Sequence, residues 1–321
     1  MFSNRRSEGV ALVSVLLIVA VLLAITSRLL AGHNLVINQN ANTFEQDQAL
    51  QYVIGAEVMA RQALFDDFIN TGPESDHSNE LWAQNVLPFD LDEGDYLQAQ
   101  LTDLNGCFNL NSVVAGDGKV GLQQFKRMLN NLGVSDQIAE AWKDWIDDDQ
   151  EVTGFGAEDN EYLSSENPHR TPNRLVTHTS ELYLLQGMTQ ANLDLLLPHV
   201  CLLPDATSKI NVNTANAFTL SALHPDISPA TVEQIVSVER DFRDMSEFLS
   251  VNEDFRPVQG QLTVRSEYFQ LHAQAQVGSS SITLLSLLYR DPSNGHVSII
   301  QRDFGKLFRS NLVLETDIQE S

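Results

Sequence analysis

Seven carboxylates fall within fifteen residues: Asp147, Asp148, Asp149, Glu151, Glu158, Asp159 and Glu161, with no cysteine or histidine among them. Like charges at this density repel unless a cation neutralises them, and a donor set made only of oxygen suits a hard divalent ion. Counted from Asp147, acids occupy loop positions 1, 3, 5 and 12 (Asp147, Asp149, Glu151, Glu158), which is EF-hand spacing. The sixth position breaks the pattern, because Val152 stands where the sharp turn needs glycine and Gly154 comes two places late. The loop must therefore wrap a cation differently. The number and hardness of the donors favour calcium, one or two ions, over magnesium or zinc. The expected ligands are Asp147, Asp149, Glu158 and Asp159, with Glu151 and Glu161 as further donors. A catalytic use of the same acids is disfavoured: paired carboxylates of glycosidases come from separate elements facing a cleft. The eight histidines are scattered and no His-x-x-x-His or Gly-x-Ser-x-Gly is present, so the chain is not expected to be an enzyme.

The loop lies between two copies of one phrase, Phe108-Asn-Leu-Asn-Ser and Ile210-Asn-Val-Asn-Thr. Each precedes a predicted helix pair: 121–132 and 135–147 after the first, 215–223 and 228–240 after the second. Ser135, Thr214 and Ser228 are the expected N-caps, and Phe125 and Phe218 hold matching places. This predicts two related helix-hairpin units. The second hairpin, His224 to Pro229, has no glycine and carries Asp226, so it lacks what a phosphate-gripping turn needs. A formal charge of −24 likewise argues against nucleic acid. Cys107 and Cys201 flank the first unit and are either a single disulfide or two small buried side chains.

Strand patterns occur at Tyr96–Asp103 and again at 268–277, 281–289 and 296–302. One antiparallel sheet built from segments this far apart makes the chain between them an insertion. Upstream, Ala49, Val53, Ala56, Ala60 and Leu64 form a narrow stripe at helical spacing, suited to close approach onto a sheet. That helix is predicted to start at Val10 and to break at Gly72-Pro73. Its first part, Val10 to Ser27, is 18 residues without a charge, about 27 Å at 1.5 Å per residue, and can span a bilayer. Arg5 and Arg6 precede it and no basic run follows, which places the N terminus in the cytoplasm and the remainder outside.

A short basic leader ending in Gly9, directly before the apolar run, resembles that of type IV pilins and type II secretion pseudopilins. The resemblance implies cleavage between Gly9 and Val10 by a prepilin peptidase, methylation of the new N terminus, and retention of the helix. Most of these proteins carry glutamate at the fifth mature position, where this chain has Ser14. A carboxylate in hydrocarbon is tolerable only with a partner amine, so its loss marks a subunit with none above it. Together with the acidic loop and the phrase Ser266-Glu-Tyr-Phe-Gln-Leu-His-Ala273, this resembles the minor pseudopilin K family. The resemblance covers nearly the whole chain, associates the acidic loop with calcium, and extends it to Asn173 as an amide donor.

The implied fold is α+β and pilin-like, a long N-terminal helix on an antiparallel sheet, with a large inserted all-α domain of two SAM-like units. The implied division is leader 1–9, membrane helix 10–31, stem 32–68, sheet region 69–106 and 266–321, and insert 107–265, split at 205/206. The implied function is structural: the tip of the type II secretion pseudopilus in the bacterial inner membrane, bulk of the chain periplasmic, assembled with minor pseudopilins I and J and the other pseudopilins. Secreted exoproteins are an additional expected contact. In that oxidising compartment a Cys107–Cys201 bridge is expected, closing a loop worth roughly 4 kcal/mol on the chain-entropy model. Two other readings share parts of this pattern, a minor pilin of a type IV or DNA-uptake pilus and a membrane-tethered calcium-dependent enzyme.

Overall fold

The computed structural model describes residues 6–70, 72, 74–84, 88–91 and 94–305, with side chains from residue 12 onward. The first five residues of the expected leader lie outside the described part; Gly9 and Val10 fall within helix α1 (Arg6–Asn70). Within it an 18-residue apolar window is unburied, and among the described residues this one helix is long and apolar enough to cross a membrane. Farther along, α1 lies across a five-stranded sheet of order β1 (Phe89–Asp90), β2 (Tyr96–Asp103), β7 (Tyr268–Val277), β8 (Ser280–Arg290) and β9 (Val297–Asp303). All neighbours are antiparallel. The Ala49, Val53, Ala56, Ala60, Leu64 stripe is the buried face of α1, packed on Phe269, Leu271, Ala273, Ala275 and Leu284 of the sheet. Small side chains on both layers let the helix backbone approach the strands. The short strand β1 was not anticipated: two residues carry too little periodicity to be read.

The chain from 104 to 267 leaves the sheet after β2 and returns at β7. It holds α2 (Lys119–Asn131), α3 (Gln137–Ile146), α4 (Asp159–Leu163), α5 (Gln190–Leu196), α6 (Ala217–Ala222), α7 (Pro229–Val236) and α8 (Met245–Val251). Two separate cores result, one around Phe125, Trp142 and Trp145, the other around Leu220, Phe248 and Phe255. Each unit is closed by a two-residue parallel pair: β3 (Phe108–Asn109) with β4 (Val200–Cys201), and β5 (Ile210–Asn211) with β6 (Leu262–Thr263).

The repeated asparagines do more than mark an entry. The first of each phrase accepts the N–H two residues on, from Asn111 (3.1 Å) and Asn213 (3.0 Å). The second grips both polar groups of one distant residue. Asn111 takes the N–H of Val176 at 3.1 Å and donates to its carbonyl at 2.8 Å; Asn213 does the same to Phe242 at 3.0 and 2.9 Å. A buried amide thus pairs an irregular strand that no helix or sheet satisfies.

Several local expectations change. Asn216, not Thr214, caps α6, because the Thr214 hydroxyl is drawn to Asp103. Asp136 precedes α3 and Ser135 contributes only its carbonyl. Helix α7 stops at Val236 rather than Arg240, since Arg240 turns back to donate to the carbonyls of Val212 and Ala215, 2.7 Å each. Phe125 is fully buried and stacks on Phe108, whereas Phe218 lies on His199; the two are not equivalent.

A buried polar hub joins α1, the sheet and the insert. Arg290, 4% exposed, bonds Asp76 and Asp67 (3.2 Å) and lies 4.8 Å from the Phe269 ring centre. Beside it Asp103 accepts from Ser266 (2.6 Å), Asn211 (3.1 Å) and Thr214, and Asn211 also reaches the Asp76 carbonyl (3.0 Å). Burial pushes the Asp103 carboxyl up to about 6 against these hydrogen bonds. Glu80, 7% exposed, is pushed up to about 7 by burial and by the Asp67 charge, although Trp82 Nε1 (2.6 Å) and the His77 N–H donate to it.

The folded protein therefore holds the Glu80 proton more tightly than the unfolded chain, whose carboxyl titrates near 4.5. Between about pH 4.5 and 7 the unfolded state alone loses that proton, so stability falls as pH rises, by up to about 3 kcal/mol from this group. Glu80→Gln should melt higher than the parent at pH 8 and nearly level with it at pH 5. A gap of equal size at both values, by calorimetry, would contradict the assignment.

Candidate metal centre

The acidic loop runs from the end of α3 to the start of α4. Two carboxylates on α3 hold its far side through backbone N–H groups. Asp144, fully buried, accepts Thr153 N–H on both oxygens (3.1 and 3.0 Å), and Glu140 accepts Phe155 N–H (2.7 Å). The approach is too close for a side chain: a Cβ on Gly156 would meet Asp144 Oδ2 at 2.0 Å, and one on Gly154, at φ +60°, would meet Glu140 at 2.6 Å. Those glycines are therefore structural to this wrap, which explains their place two and four residues beyond the EF-hand position. Beneath the loop Trp145 meets Tyr162 edge to face at 5.1 Å, and Tyr162 packs on His169 at 4.9 Å.

The wrap brings oxygens of Asp147, Asp149 and Glu158 within 4.8 Å of one another. Glu158 is 2% exposed and neither carboxylate oxygen has a hydrogen-bond partner; Asp147 Oδ1 is also buried and unpartnered. A third segment enters here. Asn173, at φ 46°, donates weakly to the Asp149 carbonyl (3.3 Å) and leaves its own Oδ1 buried without a partner. Burial first, then the charges of Asp144, Asp147 and Asp149, push Glu158 up to about 7; burial pushes Asp144 to about 6 and raises Asp147, despite Lys143 at 3.2 Å from the latter. Four orphaned oxygens on three residues, in a shell of acids with one lysine at its edge, fit a hard divalent cation.

The other candidate donors sit elsewhere. Asp159 binds Arg170 (2.6 Å) and both the N–H and hydroxyl of Thr171 (3.0 Å each), Glu161 accepts the Glu158 N–H (3.0 Å), and Glu151 is exposed. Asp159 and Glu161 thus order the segment around the oxygens rather than join them. Among the described residues a second acidic group, Asp67, Asp76 and Glu80, is equally close-set, but Arg290 already bonds two of its carboxylates. The sulfurs of Cys107 and Cys201 are bonded, with Cα atoms 5.9 Å apart, beside the junction of insert and sheet.

The family model for type II secretion system protein K matches residues 106–205, the unit that carries this loop. Across nearly all of the chain, 34% of residues are identical to the type II secretion system protein K of Pseudomonas aeruginosa, with 94% of each protein covered. The chain belongs to the type II secretion system protein K family. The corresponding protein of Klebsiella pneumoniae is 37% identical over 69% of this chain and 72% of its own length. Among solved structures, a chain from the crystal structure of the GspK-GspI-GspJ complex of the enterotoxigenic Escherichia coli type 2 secretion system superposes with a TM-score of 0.73. It shares 27% identity and covers 84% of this chain and all of its own. Membership in this family makes the protein a minor pseudopilin, a structural component of the secretion system.

Sequence reasoning missed two parts of the centre. Glu140 and Asp144 lie at helical i, i+4 spacing on α3, the one signal that both acids could face the loop. Asn111, which grips Val176 three residues beyond Asn173, was legible only as half of a repeated phrase.

Proposed function

We propose that this protein caps the tip of a type II secretion pseudopilus and that the acidic loop of its insert holds calcium. The fold is read as pilin-like, and the two inserted units as a SAM-like pair. The mature chain starts at Val10 after prepilin peptidase cleavage behind Gly9, its helix spans the inner membrane, and the folded part lies in the periplasm. Partners I and J follow from the GspK-GspI-GspJ complex that the fold matches. They have an outward face of α1 to meet, where Phe44, Val58, Met59 and Ile69 are each more than half exposed. The reading rests above all on an insert of two full cores fixed to the top of a single stem, since that mass leaves no room for another stem to pack above it. Ser14 agrees with this, being a neutral residue at the position where a carboxylate would need an amine from the subunit above. No acid, base or nucleophile is assigned a catalytic part.

In the loop, Asp147, Asp149, Glu158 and Asn173 would hold the ion, which supplies the positive charge that lets the three carboxylates stay ionised and close. Lys143 balances one oxygen of Asp147, and Asp159 with Thr171 fixes the strap that presents Asn173.

Calcium at 100 times its dissociation constant should stabilise the periplasmic part by about 2.7 kcal/mol, and EDTA should reverse the gain. In Glu158→Gln the melting temperature should no longer respond to calcium. An EDTA-insensitive parent would remove the calcium assignment.

Processing is tested by mass spectrometry of the membrane-extracted chain: a mass beginning at Val10 is expected, and one beginning near Gly32 is incompatible with a retained helix. For the tip position, Ser14→Glu places an unpaired carboxylate in hydrocarbon at a cost of several kcal/mol. Secretion should fall in cells carrying it as the sole copy, and undiminished secretion would sink the placement.

A further inference from the structure

Both supports of the acidic loop meet on one short phrase. Asn111, fully buried, accepts the Val176 N–H at 3.1 Å and donates to the Val176 carbonyl at 2.8 Å, three residues from Asn173. Its amide also donates to the Leu203 carbonyl at 2.9 Å. The neighbouring Leu110 carbonyl accepts Trp142 Nε1 at 2.8 Å, and Trp142 lies on α3 between Glu140 and Asp144, the two acids that grip the loop. The strap and the helix are therefore both registered on Leu110 and Asn111.

The phrase itself is fixed by a short ladder and one covalent bond. Strands β3 and β4 pair over only two residues, Phe108 with Val200 and Asn109 with Cys201, and so brief a pairing is marginal alone. The Cys107–Cys201 disulfide clamps it, starting one residue before Phe108. Two residues beyond Cys201, Leu203 gives its N–H to Asn109 Oδ1 at 3.0 Å and its carbonyl to Asn111. The bond thus also places the segment that completes the hydrogen bonds of Asn111.

We propose that Asn111 is a positioning residue for the ion and that the Cys107–Cys201 bond locks it in place, so that calcium binds tightly only after the two thiols are oxidised. Closing the bond joins the two sulfurs and passes two electrons and two protons to a disulfide oxidant, which leaves as two thiols. The dithiol chain keeps the carboxylates of Asp147, Asp149 and Glu158 but holds the Asn173 strap less firmly against them. Linkage makes the effect reciprocal: calcium that favours the bridged form opposes its reduction by the same factor. This inference rests on the calcium reading above and adds to it an order of maturation, oxidation before ion.

Calorimetric titration of calcium chloride into the full chain in detergent micelles tests it, with the bridged form set against the chain reduced by a phosphine. Calcium should bind roughly tenfold more weakly to the reduced chain, within the range of about 5- to 150-fold for coupled sites. In a glutathione redox buffer, saturating calcium should then lower the reduction potential of the pair by about 30 mV, the equivalent of tenfold for two electrons. Asn111→Ala with the bond intact should weaken calcium to a similar degree, and reducing that variant should weaken it little further, since both changes act through one side chain. The variant keeps the disulfide, so the test survives if the reduced chain folds poorly. Unchanged affinity in the reduced chain or in Asn111→Ala, or losses that simply add, would overturn the proposal and leave the calcium assignment standing. A bridged parent that binds no calcium would remove both.

Discussion

The arrangement depends on a cluster of charges kept dry where three parts of the chain meet. Arg290 from the sheet is enclosed by Asp67 of α1 and Asp76 of the following connection, and Asp103 beside it takes hydroxyl and amide donors from Thr214, Asn211 and Ser266. Burying these ions is expensive, and removal of one partner from such a set typically costs 3–5 kcal/mol. What the cluster provides is orientation. Apolar faces slide with little penalty, but a guanidinium shared between two carboxylates and a carboxylate fed by three donors accept few alternative geometries. The insert is thereby held at one angle to the stem, a precondition for any role that depends on its bulk lying above the helix.

The two acidic groups of the molecule solve the same electrostatic problem in different ways. Near the stem the positive charge is built in as Arg290, and Glu80, left over, keeps its proton up to about pH 7. In the loop the nearest cation is Lys143, which reaches a single oxygen of Asp147, while both oxygens of Glu158 face inward without donors. A carboxylate in that state must either take up a proton or receive an external cation. Asp159 shows the contrast at one residue's distance: it meets Arg170 and Thr171 and has no such need.

Periodic features were legible in the chain. The apolar run, the Ala49 to Leu64 stripe and the four long strands each repeat a period over enough residues for burial to dictate the outcome; the strands match to within a residue, while α1 starts at Arg6, four residues before the expected Val10. Legibility ended where one long-range contact outweighs local preference. Thr214 reads as a cap and serves as a donor to Asp103, and α7 ends early because Arg240 turns back onto the second phrase. The acidic loop was legible as a donor set through composition alone. Asp147, Asp149 and Glu158 were among the expected ligands and do converge; the wrap that brings them together was not legible, because it follows from Glu140 and Asp144 gripping the loop from α3, a contact no spacing rule within the loop contains.

The duplicated asparagine pair links these two centres. Asn211 of the second phrase lies in the hub, bonded to Asp103 and to the Asp76 carbonyl. Asn111 of the first grips Val176, and its amide also reaches the carbonyl of Leu203, two residues past the bridged Cys201. The strap that brings Asn173 to the loop is thus fastened to the segment joining both units, and that segment to the sheet. A run of buried hydrogen bonds thus joins the strap beside the loop to the hub. An ion held at Glu158 and Asn173, as proposed above, would sit at the far end of that run from the hub.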